Sequence, residues 1–424
     1  MSTKSTKIKN IFAREILDSR GDPTIETTVK LENGISEKAA VPSGASKGIY
    51  EATELRDNNP KRYNGNGVLN ACKNVNTKIF QALKGIDVMQ QQIIDQIMID
   101  LDKTENKSNL GANAILSVSL ACARAAAKFK KIELYHYISI CYALPTTHYI
   151  LPIPMFNILN GGKHADTNLD FQEFMIIPSR KKFKEMVRIG SEIFHKLGNI
   201  LLKKKYNANV GNEGGYAPNI NSNEKAIKII LEAIKETKYQ ANKDIFLGLD
   251  VAASEFYNKE KNKYILKADN LILSRQKLIN LYLDLIKKYP LISIEDPIEQ
   301  DDWNGWNEIT SKIPTKQLII GDDFFVTNVK RLKKGIEQKC ANAILIKLNQ
   351  IGTLTETIEC IKLAQKNHYK IIISHRSGET CDDFIADLAI AVKADYIKAG
   401  SLSRGERICK YNRLMEIEEK LKNI

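Results

Sequence analysis

No apolar run in this 424-residue sequence is long enough to span a bilayer, so membrane insertion is not expected. The opening stretch, MSTKSTKIKN, has no apolar core of the kind a secretory leader needs, and the expectation is a protein without a signal peptide. Cysteine is sparse. Cys72, Cys122, Cys141, Cys340, Cys360, Cys381 and Cys409 are odd in number, scattered, and form no C-x-x-C pair. That pattern excludes a disulfide framework and a cysteine zinc site and points to reduced thiols in the cytoplasm. Low-complexity tails and internal repeats are missing too, apart from the strand–helix units described below. Acidic residues are outnumbered 63 to 50, which leaves a net charge of +13. A basic excess can mark nucleic-acid binding. Here the lysines are spread over KKFKEMVR, LLKKKYN, NKEKNKYILK and VKRLKKGIEQK with no aromatic interleaving, so they read as solvated helix faces. Their field still attracts an anionic substrate.

What the chain does contain is enough apolar residue, 43%, for large cores, and length enough for two domains. Residues 7–41 read as three strands, with Glu32-Asn33-Gly34 as the turn between the second and third. The glycine- and serine-bearing VPSGASKG at 41–48 reads as a mobile loop. Helical stretches follow at 68–83, 88–101, 112–129 and 134–143, and the alanines of the third imply close packing. Together these predict an α+β domain over 1–143. The proline-bearing LPTTHYILPIP leads from it into a second domain, 144–424.

In that second domain eight apolar runs carry a polar or charged group: Asn157, Glu173, Asp250, Glu295 with Asp296, Asp322 with Asp323, Lys347, His375 with Arg376, and Lys398. Strands with functional groups at their C-terminal ends predict a (β/α)8 TIM-type barrel with its site at that face. The step from Asn157 to Glu173 is too short for a helical crossover, so the first two strands should be antiparallel. Helical stretches at 181–205 and 223–237 precede the Asp250 strand. The order is then an irregular ββαα(βα)6.

Asp250, Glu295 and Asp322 end successive strands of this barrel. Three converging carboxylates repel one another unless a cation lies between them, and all-oxygen ligands favour Mg²⁺ or Mn²⁺. The plainer reading of each alone is a helix cap. Asp296 and Asp323 are the alternative ligands, since neighbours on a strand face opposite ways. Lys347 follows a buried strand, AILIK, and desolvation should lower its pKa and suit it to act as a base. A lysine snorkelling from a strand edge is the plainer reading there. Arg376 in SHRSG, with Ser377 beside it, suits a phosphate or carboxylate. Lys398 completes a positive wall. A metal opposite a base lysine is the general arrangement for removing a proton next to a carboxylate.

Long motifs then carry a resemblance to the enolase family, of bacterial type. They are DSRGDPT at 18–24, VPSGAS at 41–46, DKTENKS at 102–108, GANAILSVS at 111–119, NGGKHAD at 160–166, QEFMI at 172–176 and NEGGYAPN at 212–219. DVAASEF at 250–256, SIEDP at 293–297, GDDFFVTN at 321–328, LIKLNQIGTLTET at 345–357 and SHRSGET at 374–380 continue it. The resemblance implies a hydro-lyase that reversibly dehydrates 2-phosphoglycerate to phosphoenolpyruvate in glycolysis. It implies Lys347 as base, Glu213 as general acid supported by Glu173, and His164 on a closing loop. It implies Gln172, Arg376, Ser377, Lys347 and Lys398 around the substrate. Two Mg²⁺ are implied per active site, one on Asp250, Glu295 and Asp322, the second entering with substrate and contacted by Ser46. Arg20 and Glu419 match positions that pair across the family's dimer, which implies a homodimer or a larger octamer.

This chain departs from the family pattern at Asn212, where Asp is usual, at Ala399 and Lys47, where Thr is usual, and at Glu416, where Arg is common. Two other classes compete. One is a superfamily racemase or cycloisomerase acting on a non-phosphorylated acid, against which Ser46 and SHRSG argue. The other is a binding protein with a cell-surface or secreted pool, engaging plasminogen or an RNA-degradation complex. The end Lys420-Leu421-Lys422-Asn423-Ile424 lacks the terminal lysine expected for plasminogen. Finally, Cys381 follows SHRSGET and is expected near the substrate clamp.

Overall fold

Alternating apolar residues build the first sheet: Ile11, Ala13, Ile25, Val29 and Leu31 are buried between polar neighbours. In the computed structural model, which describes residues 5–44, 48–180 and 182–422, strands β1 (Ile8–Leu17), β2 (Pro23–Leu31) and β3 (Ser36–Ala40) form an antiparallel sheet in that order. The helix Ala112–Lys130 lies across β2 and β3. Its alanines, with Ala114, Ala121 and Ala125 fully buried, let it approach closely enough for Ser117 Oγ to reach Thr27 Oγ1 at 2.6 Å. The single helix expected over 68–83 is instead Leu69–Asn74, a wide π turn over Val75–Ile79, and Phe80–Leu83. Asn76 in the wide turn exchanges two hydrogen bonds with the backbone of Ala13 on β1, at 2.6 and 3.0 Å. Those bonds satisfy part of the free edge of the sheet, a local gain that favours the widened turn.

The barrel closes through a stretch that reads as one strand in sequence. It is two pieces, β4 (Ile153–Pro154) and β5 (Phe156–Asn160), running past Asn157. After β6 (Glu173–Pro178), β7 (Ile245–Asp250) and a small outlying sheet of β8 (Tyr257–Asn258), β9 (Lys263–Leu266) and β10 (Leu271–Leu273), the remaining strands are regular. They are β11 (Leu291–Glu295), β12 (Leu318–Gly321), β13 (Ala343–Ile346), β14 (Lys370–Ser374) and β15 (Tyr396–Lys398). The sheet order is β4-β15-β14-β13-β12-β11-β7-β6-β5, with β4 parallel to β15 and β5 antiparallel to β6, so one stretch joins both edges. β6 is antiparallel to β7 as well. The predicted ββαα(βα)6 order is the order found, with helices Phe183–Lys203 and Asn223–Lys235 between β6 and β7. The outlying sheet had no counterpart in the sequence reading.

Strand parity places the polar groups. Met155, Met175, Ile177, Leu318, Ile320, Ala343, Leu345 and Ile372 fill the barrel interior as one apolar cluster. Two residues further toward one end stand Asn157, Glu173, Asp322, Lys347 and Ser374, pointing the same way by the two-residue period. Among the described residues, no helix is long and apolar enough to cross a membrane.

The two halves meet through polar contacts. Ser43 and Gly378 exchange backbone hydrogen bonds at 2.7 and 3.0 Å. Asp95, fully buried, accepts from the amide (3.0 Å) and hydroxyl (2.6 Å) of Thr355 at the start of the helix Leu354–Lys366, and from Gln91 Nε2 at 3.1 Å. These partners are neutral, and burial pushes Asp95 up to about 6. Its folded-state pKa therefore lies above the unfolded value of about 3.9. The folded chain binds the extra proton, so this group's contribution to stability declines as pH rises from about 4 through about 6, by about 3 kcal/mol in all. Asp95→Asn should accordingly raise stability by about 1–2 kcal/mol near pH 8 and bring no gain near pH 4. Urea midpoints at the two pH values check this, and an equal change at both would count against it.

Arg20 turns inward, onto Asp18 Oδ2 (3.3 Å) and Ser43 Oγ (2.8 Å) of its own chain. Glu416 pairs along its own helix with Arg413 (3.1 Å) and Lys420 (2.6 Å).

Candidate active site

Register brings the carboxylates to one level of the barrel. Asn160 pairs with Glu173, Glu173 with Asp250, Asp250 with Glu295, and Glu295 with Ile320, two residues before Asp322. Glu173 begins its strand rather than ending it. It still reaches the mouth formed by the other strands' C-terminal ends because β6 runs antiparallel to its neighbours. One polar cavity at this mouth is lined by His164, Gln172, Glu173, Glu213, Asp250, Asp322, Lys347, Arg376, Ser377 and Lys398, together with Asp296, Asp323, Ser374, His375 and Ala252. Glu295, fully buried, lies outside that lining. Ser46 lies outside the described residues, as do Ala45 and Lys47 of the same predicted loop.

Two lysines hold the predicted metal carboxylates. Lys398 Nζ contacts both oxygens of Glu295 at 2.8 Å, Asp250 Oδ2 at 3.0 Å and Glu173 Oε1 at 3.1 Å. Burial opposes its charge, but Asp250, Glu173 and Glu295 outweigh burial and hold the ammonium well above its ordinary range. Lys347 is paired with Asp322 Oδ2. The expected fall in its pKa does not occur in this arrangement. Burial does act downward, but the charges of Asp322 and Asp323 prevail and raise it. Thr327 Oγ1 accepts from the Lys347 amide at 2.9 Å and donates to Gln350 Oε1 at 2.9 Å, and Gln350 Nε2 reaches Asp322 Oδ1 at 3.2 Å. Val326 and Thr327 both adopt left-handed backbone (φ 46° and 53°), a costly conformation for β-branched residues that sets Thr327 in place.

Asp250, Glu295 and Asp322 suit a divalent cation in their chemistry: three carboxylates, no thiol and no imidazole. Glu295 is pushed well above the carboxylate range by burial and by the charge of Asp250, a repulsion that added positive charge relieves. Their geometry is looser than expected. Among the described residues, the groups whose donor atoms lie within 4.8 Å of one another are Asp296–Asp322–Asp323 and His164–Glu173–Glu213. Only Asp322 of the predicted three belongs to either, because Asp250 and Glu295 are drawn onto Lys398. Asp296 leaves its strand with φ 43° and accepts from the amides of Asp322 (2.9 Å) and Asp323 (2.8 Å), so it fixes the segment that carries Asp322.

On the opposite wall, His164 Nδ1 lies 3.2 Å from Glu173 Oε1 and 3.4 Å from Glu213 Oε1. Burial alone would discharge His164, but Glu213 and Glu173 outweigh it and raise its pKa to about 10. Glu173 is pushed up to about 7 by burial and by the charge of Glu213. Burial would raise Glu213 too, yet the neighbouring positive charge holds it well below the usual carboxylate range. His164 is the larger source of that charge, ahead of His375. His375, 3.4 Å from Glu213 Oε2, is buried and pushed down to about 3. Asn157 Nδ2 donates to Glu213 Oε2 at 3.0 Å. Asn212, the departure beside Glu213, takes part through its backbone, which donates to His164 O (3.2 Å) and accepts from Arg407 (3.0 Å). Of this acid pair, Glu173 thus stands nearer neutrality than Glu213.

Arg376 is buried and grips Glu51, Nη1 to Oε2 at 2.9 Å and Nη2 to Oε1 at 3.2 Å, while Nη1 also reaches Asn349 Oδ1 at 2.9 Å. Gln172 Nε2 lies 3.4 Å from Asp250 Oδ2. Ser377 lines the cavity floor beside them. Cys381 does not belong here. It is exposed and lines an outer groove with Glu37, Lys38, Asp382 and Asp383. The mouth is lined by Ser374 to Ser377, and from Glu379 to Asp383 the chain lines the outer groove instead.

Sequence reasoning placed Asn157 and His375 at strand ends facing the site without giving them a role, and missed Glu51, Gln350 and Arg407 as parts of this network. Asn157 ended a predicted strand and could have been found by parity, whereas His375 follows Ser374 and has the opposite parity. Nothing in the sequence marks Glu51 or Arg407.

A barrel whose C-terminal mouth gathers buried carboxylates, two lysines and a buried arginine carries the groups of an acid–base enzyme and acidic residues that could hold a divalent cation. Two family models match the chain, "Enolase, N-terminal domain" over residues 8–138 and "Enolase, C-terminal TIM barrel domain" over 148–424, and the chain belongs to the enolase family.

Proposed function

We propose that this chain is a phosphopyruvate hydratase, which reversibly dehydrates 2-phospho-D-glycerate to phosphoenolpyruvate with Mg²⁺. The observation that carries this reading is the opposition of Lys347 to the His164–Glu173–Glu213 group across one cavity. A dehydration of this kind needs a base at C2 and an acid at C3 on opposite faces of the substrate. Mg²⁺ held by Asp250, Glu295 and Asp322 would supply the positive charge that stabilises an enolate dianion.

The remaining work belongs to the chain. Lys347 takes the C2 proton once Asp322 no longer holds its ammonium. Glu213, ionised at rest, takes a proton from Glu173 beside it, which is pushed up to about 7, and gives it to the departing C3 hydroxyl. Arg376 and Ser377 receive the phosphate, the guanidinium through its planar fork. Gln172 and Lys398 hold the other end of the substrate. The buried arginine favours a phosphorylated acid over the plain acids of the racemase and cycloisomerase reading. The test is absorbance at the phosphoenolpyruvate band with 2-phosphoglycerate, in excess Mg²⁺ and after chelation. Turnover should require the metal. Absence of product with 2-phosphoglycerate, together with turnover of a non-phosphorylated acid, would reverse the choice.

A further inference from the structure

Arg407 is a charged side chain with no exposure, and the reaction outlined above leaves it without a task. A buried guanidinium needs partners for its donors, because charge and unmet N–H groups are costly to desolvate. Nη1 donates to the carbonyl of Arg376 at 2.6 Å and lies 2.6 Å from His375 Nδ1. Nη2 donates to the carbonyls of Ser377 at 2.6 Å and Asn212 at 3.0 Å. The nearby carboxylate of Glu406 lies 3.5 Å from Nε. Three carbonyls from two segments of the mouth, and one imidazole, hold this charge.

The imidazole contact has one chemical reading. Arginine does not lose its proton in a protein, so it can only donate, and Nδ1 of His375 must present a lone pair. A ring with its lone pair on Nδ1 is neutral and carries its proton on Nε2. Nε2 is the nitrogen that faces Glu213 Oε2, at 3.4 Å. We propose that Arg407 is a positioning residue that fixes His375 as the neutral Nε2–H tautomer and so presents Glu213 with an uncharged donor. The groups facing His375 act in line with this. Burial and the charges of Arg407 and Lys398 disfavour an imidazolium, against the single opposing charge of Glu213. Glu213 then has one cation beside it, His164, and two neutral donors, Asn157 and His375. A second imidazolium would deepen its ionisation and remove the acid. That last consequence rests on the role proposed above for Glu213; the tautomer itself does not.

Long-range ¹H–¹⁵N correlation on histidine-labelled protein tests the tautomer directly. The chain has six histidines, and His375→Gln serves to assign the ring. From about pH 5 to about pH 9 His375 should carry one proton, on Nε2. A proton on Nδ1, or a doubly protonated ring within that window, overturns the proposal. Arg407→Met keeps much of the bulk and removes the donor. In it the His375 ring should mix tautomers or titrate within the window. Turnover of 2-phosphoglycerate should fall roughly tenfold or more, while exchange of its C2 proton persists. A folded Arg407→Met with an unchanged His375 spectrum also overturns it. Should that variant not fold, the wild-type spectrum still decides. A wild-type protein with the Nε2–H signature and no phosphoenolpyruvate formation would sink the proposed reaction and leave the role of Arg407 standing.

Discussion

Lys347→Ala should abolish both turnover and exchange of the C2 proton of 2-phosphoglycerate with deuterated solvent, whereas Glu213→Gln should lose turnover and keep exchange. The two residues stand on opposite walls of one cavity. Lys347 follows β13 and is tied to Asp322, while Glu213 sits with His164, Asn157 and His375. Taking a proton next to a carboxylate needs a base, and expelling hydroxide needs an acid near C3, so each step can be removed alone. Glutamine preserves the size of Glu213 and an oxygen that can accept from Asn157 Nδ2, yet has no acidic proton. Its turnover should fall by a factor on the order of 10² or more, the usual scale of general acid–base catalysis. In wild type, His164 already holds Glu213 ionised, and Asn212 brings no side-chain acid to its aid. Exchange is therefore expected to outrun dehydration even before mutation. Proton NMR of the substrate in deuterated buffer reads both rates. Exchange that survives Lys347→Ala, or vanishes in a folded Glu213→Gln, would overturn the assignment.

Asp322→Ala should also abolish turnover and should weaken Mg²⁺ binding by more than the ~10–100-fold that loss of an outer-shell partner typically costs a metal site. Asp322 is the one predicted ligand that also belongs to a tight acidic cluster, with Asp296 and Asp323, and its amide is pinned by Asp296 at 2.9 Å. The backbone should therefore hold when the carboxylate is removed, which makes the variant a test of the ligand rather than of folding. Isothermal calorimetry with Mg²⁺ on wild type and variant provides the measurement, with circular dichroism to confirm the fold. Unchanged affinity would move the metal away from Asp322. Asp323→Ala is the control for the neighbouring position. Its carboxylate lines the same cavity and lies within 4.8 Å of those of Asp296 and Asp322, so an equal loss of affinity in that variant would divide the ligand role between the two residues.

Much of this arrangement was legible in the sequence because barrel strands advertise themselves. A short apolar run that stops at a charge is a local pattern, and Asp250, Glu295, Asp322, Lys347 and Lys398 each follow one. The antiparallel start was legible as well, from the short step between Asn157 and Glu173. The split of the first strand at Met155 was not, because it depends on which edges the two pieces join. The π turn over Val75–Ile79 depends on the backbone of Ala13, more than sixty positions away, to which Asn76 bonds. The direction of the Lys347 shift was misread for the same reason: burial is a property of the strand, but the counter-charge of Asp322 comes from a neighbour.

By itself the sequence determined the two-part layout, the barrel with its irregular opening, and which residue types stand at the strand ends, since hydrophobic period and spacing are local and additive. Its motifs also carried the family. Only the tertiary structure decided the pairing of charges. Lys398 lies among three carboxylates from three strands, Glu51 of the N-terminal half grips Arg376 of the barrel, and Arg407 of the last helix reaches His375. Each of these contacts joins residues far apart in the chain. Their electrostatics scale with distance across the folded mouth, a quantity that no count along the chain contains.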